Sequence, residues 1–298
     1  MGDMHIDELK QRIRAKRPPP GTTVSVAERR RAMEAVAFRA APDVAVEVVA
    51  VGGCGAEWLR TGELTTEKAI LYCHGGGYVM GSPNTHRSLG GEISRAANAA
   101  VLMLDYRLAP EAPFPAAVDD AVAAYEWLLA GGYSPESLAI AGDSAGGGLT
   151  VATLLALREK GAPMPAAAVC ISPWSDLTCT NDSYRSRAEA DPMVDADSIA
   201  EMARHYLQGV DPANPLASPN LADLQGLPPL LIHVGRDEVL LDDAVKLHER
   251  AEAAGIDATL EIRDDMVHVW HAFHPVLREG RDGIERVGGF LSAQWGRA

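Results

Sequence analysis

The sequence predicts an α/β fold built on a mostly parallel sheet, and two features carry that expectation. The first is a series of short, uninterrupted apolar runs at 69–72, 100–104, 138–141, 167–171 and 229–234. Strands covered on both faces read this way, because neither side meets water. The second is the stretch after each run: glycine, serine, proline or aspartate, then apolar residues at helical spacing. That is the rhythm of buried strands joined by crossover helices. The clearest helical patterns lie at 116–129, 147–159 and 242–254, and a last one at 284–295 closes the chain. A β-branched, alternating segment at 44–51 predicts a strand near a sheet edge, and 258–262 a final strand.

Two regions depart from this rhythm. Residues 1–40 alternate apolar and charged residues at helical spacing, broken by Pro18, Pro19 and Pro20. Within them Arg29, Arg30 and Arg31, with Glu28 and Glu34, look like a solvated helix face. Residues 181–219 hold no apolar strand but contain a helical stretch at 197–207, bracketed by Pro192, Pro212 and Pro215. This reads as an insertion between strands. No repeat or low-complexity linker divides the chain into independent domains.

Composition narrows the partners. With 47% hydrophobic residues, the 298-residue chain can bury a sizeable core. Lys plus Arg total 27 against 41 Asp plus Glu, a net charge of -14. Such a surface repels phosphate backbones and anionic lipid heads, so neither nucleic acid nor a membrane is expected as partner. Cys54, Cys73, Cys170 and Cys179 form no C-x-x-C pair, which disfavours a metal site or a disulfide framework. The first 21 residues hold no signal-peptide core, and no apolar run is long enough to cross a bilayer. A cytoplasmic location is expected.

The strongest chemical signal is Gly142-Asp143-Ser144-Ala145-Gly146, a G-x-S-x-G match between the strand at 138–141 and the helix that follows. Small residues on both sides allow a turn tight enough to lift the serine clear of the sheet, at the positive end of the helix. A glycine-rich strand–helix turn with an incidental serine is the bland alternative. The second signal, His74-Gly75-Gly76-Gly77-Tyr78, directly follows another strand. Consecutive glycines expose backbone N–H groups, as an oxyanion hole requires. The lysine and spacing of a phosphate-binding loop are missing. His74 reads as structural.

These two motifs, with Asp105-Tyr106-Arg107-Leu108-Ala109-Pro110-Glu111, Phe114-Pro115-Ala116-Ala117, Ser172-Pro173-Trp174-Ser175-Asp176-Leu177 and Ala217-Ser218-Pro219, resemble the hormone-sensitive-lipase-like branch of the α/β-hydrolases. Bacterial carboxylesterases populate that branch. The resemblance runs from about residue 40 to the C-terminus. It implies an α/β-hydrolase fold with an eight-stranded, mostly parallel sheet flanked by helices and a helical cap. Residues 1–40 and 181–215 can supply the cap, leaving 41–180 and 216–298 as the catalytic core. It also implies that the N–H groups of Gly76, Gly77 and Ala145 form the oxyanion hole, each donor worth roughly 3–4 kcal/mol of transition-state stabilisation. The Tyr106–Glu111 segment is expected to hold the oxyanion loop. No metal or organic cofactor is required.

The activity so implied is hydrolysis of short- to medium-chain esters of small, uncharged substrates, with Ser144 as nucleophile. Lactones or amides could meet the same machinery, and a non-catalytic binding relative is disfavoured because an acid and a histidine follow the serine in the order of this fold. The base is expected at His268, in Asp265-Met266-Val267-His268, which resembles the family's G-M-x-H with Asp265 in place of glycine. His271 and His274 lie nearby as core or surface residues. For the acid, Gly235-Arg236-Asp237-Glu238-Val239-Leu240-Leu241-Asp242 offers two neighbours. Aligning Leu240 and Asp242 with the family's D-P-L-x-D puts Glu238 at the catalytic position; Asp237 is the simpler alternative. Neighbouring side chains in extended backbone point apart, so only one can reach the histidine. The resemblance further implies a homodimer paired along the last strand, 258–262, whose Glu261 and Arg263 could equally guard a free edge.

Overall fold

In a computed structural model, residues 3–17, 22, 24–62, 64 and 67–296 are described. Pro18, Pro19 and Pro20, read as a break between two helical stretches, lie outside them. The chain begins with α1 (Ile6–Arg14) and α2 (Val26–Val36), then a hairpin of β1 (Val44–Val51) and β2 (Cys54–Thr61). Beyond the hairpin come β3 (Ala69–Cys73), α3 (Pro83–Ala97), β4 (Ala100–Asp105), α4 (Ala116–Ala130), β5 (Leu138–Asp143), α5 (Ala145–Glu159) and β6 (Ala167–Ile171). The insertion supplies α6 (Ser183–Ser186) and α7 (Ala196–Leu207). Then β7 (Leu230–Gly235), α8 (Leu241–Ala253), β8 (Ala258–Arg263) and α9 (Arg278–Trp295) complete the chain.

Among these residues the strands form one sheet of eight, in the order β1-β2-β4-β3-β5-β6-β7-β8. β1 and β2 run antiparallel to their neighbours, and β3 through β8 are mutually parallel. All five residues of β3 and of β6 are buried, as the apolar runs require. β3 lies between β4 and β5, so the winding direction reverses there. Side chains at the carboxyl ends of β3 and β5 therefore face a crevice that no crossover covers, where open α/β sheets bind their ligands.

Several elements differ from expectation. β2 had no counterpart among the expected strands; its run Cys-Gly-Ala-Glu-Trp-Leu-Arg-Thr interleaves charge and glycine, and only Ala56, Trp58, Leu59 and Thr61 are buried. α9 begins six residues before the pattern at 284, because Gly280 and Gly283 interrupt the apolar spacing. A Cβ on Gly280 would lie 2.8 Å from the Trp270 carbonyl, so those glycines serve close approach and not a loop. The solvated-face reading of α2 also needs correction. None of its residues is buried, yet Arg29 bonds Glu201 at 2.8 Å and Glu34 bonds Asn84 at 2.6 Å.

Candidate active site

The nucleophile turn is made by close approach. Ser144 sits between β5 and α5 at φ 53°, ψ −122° and is partly exposed. Positive φ is costly for a non-glycine residue, and here it persists because the neighbours fix both ends. The Ser144 N–H donates to the Ile171 carbonyl at 2.8 Å, and the Ser144 carbonyl accepts from Trp174 N at 2.9 Å. Gly146 is required in turn: a Cβ there would overlap the Cys73 carbonyl at the end of β3. The serine is thus held at the amino end of α5, where the helix dipole and free N–H groups favour negative charge.

Of the two neighbouring carboxylates after β7, Glu238 bonds His268, its Oε2 lying 2.7 Å from Nδ1. Its other oxygen accepts from Ser172 Oγ at 2.7 Å and from the Gly235 N–H at 2.5 Å. Glu238 is fully buried. Asp237 turns the other way and pairs with Lys10 of α1 at 2.6 Å. Burial disfavours a charged His268, but the hydrogen bond and charge of Glu238 outweigh it and raise the imidazole pKa above its ordinary value. With Nδ1 committed to Glu238, Nε2 is the nitrogen left to act as base. His271 instead meets His233 at 2.9 Å, and burial holds both neutral. His274 bonds Ser88 at 3.0 Å.

The loop after β3 is braced from beneath. Gly75 N–H and the Tyr72 hydroxyl donate to Asp143 Oδ1, at 3.1 and 2.9 Å. Tyr106 donates to the His74 carbonyl at 2.7 Å, and its ring stacks on His74 at 4.3 Å. Burial pushes the His74 pKa down to about 3, so it is a neutral spacer and no base. Gly76 and Gly77 follow at φ 121° and 61°, conformations that an L side chain resists. A Cβ on Gly77 would also collide with the Met202 sulfur of α7. Tyr206 of the same helix stacks on Tyr78 at 3.9 Å. Residues of the 181–215 insertion thus pack against the glycine loop.

Three supporting residues had no role in the sequence reading. Ser172, at φ 46°, donates to Glu238 and accepts from Val269 N at 3.1 Å, joining the acid loop to the base loop. Its place in the Ser-Pro-Trp-Ser-Asp-Leu motif was the available signal. Asp191, in the insertion, is buried and accepts from Met193 N at 2.8 Å and from Val239 N at 3.0 Å. It ties the insertion to the residue after Glu238. Lys10 is the third, and its pairing across 227 positions left no local trace.

A strained serine between strand and helix, a buried carboxylate–imidazole pair and a glycine loop at one crevice define a serine hydrolase of the α/β type. Residues 70–272 match a family model described as the alpha/beta hydrolase fold. A crystal structure of EstE5 is 62% identical, with 98% of each chain covered and a TM-score of 0.97. One of an esterase from the bacterial hormone-sensitive lipase family is 50% identical, also over 98% of each chain, at a TM-score of 0.94. An acetyl-hydrolase of Streptomyces hygroscopicus is 53% identical over 250 residues, 84% of this chain and 83% of that one. The chain belongs to the α/β-hydrolase fold family, in its hormone-sensitive-lipase-like branch of carboxylic ester hydrolases.

Proposed function

We propose that this ester hydrolase cleaves short- to medium-chain esters of small, uncharged substrates, using Ser144, His268 and Glu238 and passing through an acyl-enzyme. Ser144 Oγ attacks the ester carbonyl as His268 Nε2 takes its proton; the carbonyl oxygen becomes an oxyanion facing the N–H groups of Gly76, Gly77 and Ala145. Collapse breaks the ester C–O bond, and His268 returns the proton to the departing alcohol. Water then attacks the acyl-Ser144 with the same base, releasing the acid and restoring the serine. Glu238 fixes the imidazole tautomer and supports its cation. The observation that carries this reading is the Glu238–His268 bond of 2.7 Å, made at the same edge of the sheet as the serine turn.

The chain-length limit follows from the resemblance to bacterial esterases; Met202 and Tyr206 of the insertion pack against Gly77 and Tyr78 of the loop after β3. The acidic surface works against adsorption to anionic lipid. A crystal of the similar EstE5 was soaked with p-nitrophenyl butyrate, an ester of this size. Rates across p-nitrophenyl esters from acetate to palmitate should peak among the shorter chains. A steady climb toward palmitate, or toward triglyceride emulsions, would count against the proposal. Four free cysteines support a reducing, cytoplasmic setting, and among the described residues no helix is long and apolar enough to cross a membrane. A homodimer across the outer edge of β8 is the proposed assembly, and a monomer mass in light scattering would end it.

A further inference from the structure

The oxyanion loop has a second anchor, on the outer side. Arg30 projects from α2, none of whose residues is buried, and makes four hydrogen bonds. Its Nε donates to the Val79 carbonyl at 2.7 Å, two residues beyond Gly77. One Nη donates to the Ala109 carbonyl at 2.9 Å, and both reach Glu111, at 2.8 and 2.7 Å. The segments so joined already touch, since Ala109 N–H donates to the Tyr78 carbonyl at 2.9 Å. Within the loop, Val79 N and Met80 N both donate to the Gly76 carbonyl, at 3.1 and 3.0 Å. Along the chain, Gly76 and Gly77 therefore lie between the bonds that hold His74 and Gly75, from Tyr106 and Asp143, and those that hold Tyr78 and Val79, from the Ala109 N–H and the Arg30 guanidinium.

We infer that Arg30 is a positioning residue for the oxyanion hole: the N-terminal arm completes the catalytic apparatus through this guanidinium as well as covering it. Three chemical facts support the assignment. Glycine peptides have no side chain to hold their orientation, so external hydrogen bonds must set it. Oxyanion stabilisation depends steeply on where the N–H groups point when charge develops. Arginine's planar fork suits simultaneous bonding to a carboxylate and two carbonyls, which lysine cannot reproduce. The same contacts give Glu111 a purpose, holding the guanidinium in register from a side chain that is itself 65% exposed.

The inference rests on the esterase reading, and the test separates the two. The parent, Arg30→Gln, Arg30→Lys and Glu111→Gln are assayed on p-nitrophenyl acetate, too short to need much of the cap. Binding of a trifluoromethyl ketone, which adds to the serine and forms an oxyanion, is measured alongside. Arg30→Gln should lower kcat about tenfold with KM within about twofold, and ketone affinity should fall with kcat/KM. Arg30→Lys should recover part of the loss, and Glu111→Gln should show a smaller loss in the same sense. Because α2 buries none of its residues, melting temperatures should stay near the parent's; should Arg30→Gln prove unfolded, the other two variants decide. Unchanged kcat, a change in KM alone, or ketone affinity that holds while kcat falls overturns the inference. Absence of hydrolysis by the parent would instead sink the esterase reading itself.

Discussion

Two helices border the glycine loop after β3, and they are held in opposite ways. α5, which carries the Ala145 N–H, buries 12 of its 15 residues: Ala145 to Leu155, and Leu157. α2, which carries Arg30, buries none of its 11 and is fixed by hydrogen bonds and ion pairs to Glu201, Glu111, Val79, Ala109, Ser82 and Asn84. One side of the site is thus set by dense hydrophobic contact, where loss of even part of a side chain is costly. The other is set by polar contacts at the surface, which can be loosened singly. The carboxylate pair shows the same division: Glu238 is sealed against Ser172 and His268, and Asp237 reaches outward to α1.

That division predicts a graded set of effects. Among these groups the greatest loss should follow from the sealed carboxylate: Glu238→Gln should cost about 10⁴-fold in turnover, by losing the tautomer and charge support of His268. Asp237→Asn should stay within a few-fold of the parent, and the assignment reverses if the two results are exchanged. Next comes the core helix. Leu154→Ala in α5, at a fully buried position, should lower unfolding free energy by about 2–5 kcal/mol in denaturant titrations. A loss under about 1 kcal/mol would show that α5 is held less firmly than its burial indicates.

The pH profile probes the same sealed pair. A protonated His268 cannot accept the Ser144 proton, and Glu238 favours that protonated form. Activity should therefore be lost as pH falls through a value above 6.5, the ordinary imidazole pKa. In Glu238→Gln, whose residual rate is small but measurable, this limb should move to lower pH. A limb that stays in place would remove Glu238 as its cause. The smallest effect belongs to the surface: Arg29→Ala should change unfolding free energy by no more than about 1 kcal/mol, since its pair with Glu201 is partly solvated. A larger loss would mean that α2 contributes to the core despite its exposure.

The parts of this molecule legible in its sequence are those whose causes are local. Buried parallel strands advertise themselves as apolar runs, and the serine turn needs small residues that stand beside it. The geometry of the site also depends on partners far along the chain. α3 escaped reading because Gly90 and Gly91 break its pattern, yet a Cβ on Gly90 would lie 2.6 Å from Leu59 of β2. Asp265, which stands where the G-M-x-H pattern that the segment resembles has glycine, adopts φ 61°, a conformation that aspartate tolerates better than most residues. Local charge runs mislead for the same reason. Arg30 reads as solvated because its partners stand 49 to 81 positions away.

The proposed mechanism routes every step through Ser144, which the turn between β5 and α5 holds at φ 53°. Turnover of p-nitrophenyl butyrate by Ser144→Ala, with its fold verified by circular dichroism, is the most direct test. The loss should be about 10⁶-fold, because a triad acting as a unit fails as a unit when its nucleophile is removed. Hydrolysis near the parent's rate by this variant would contradict the assignment of the site.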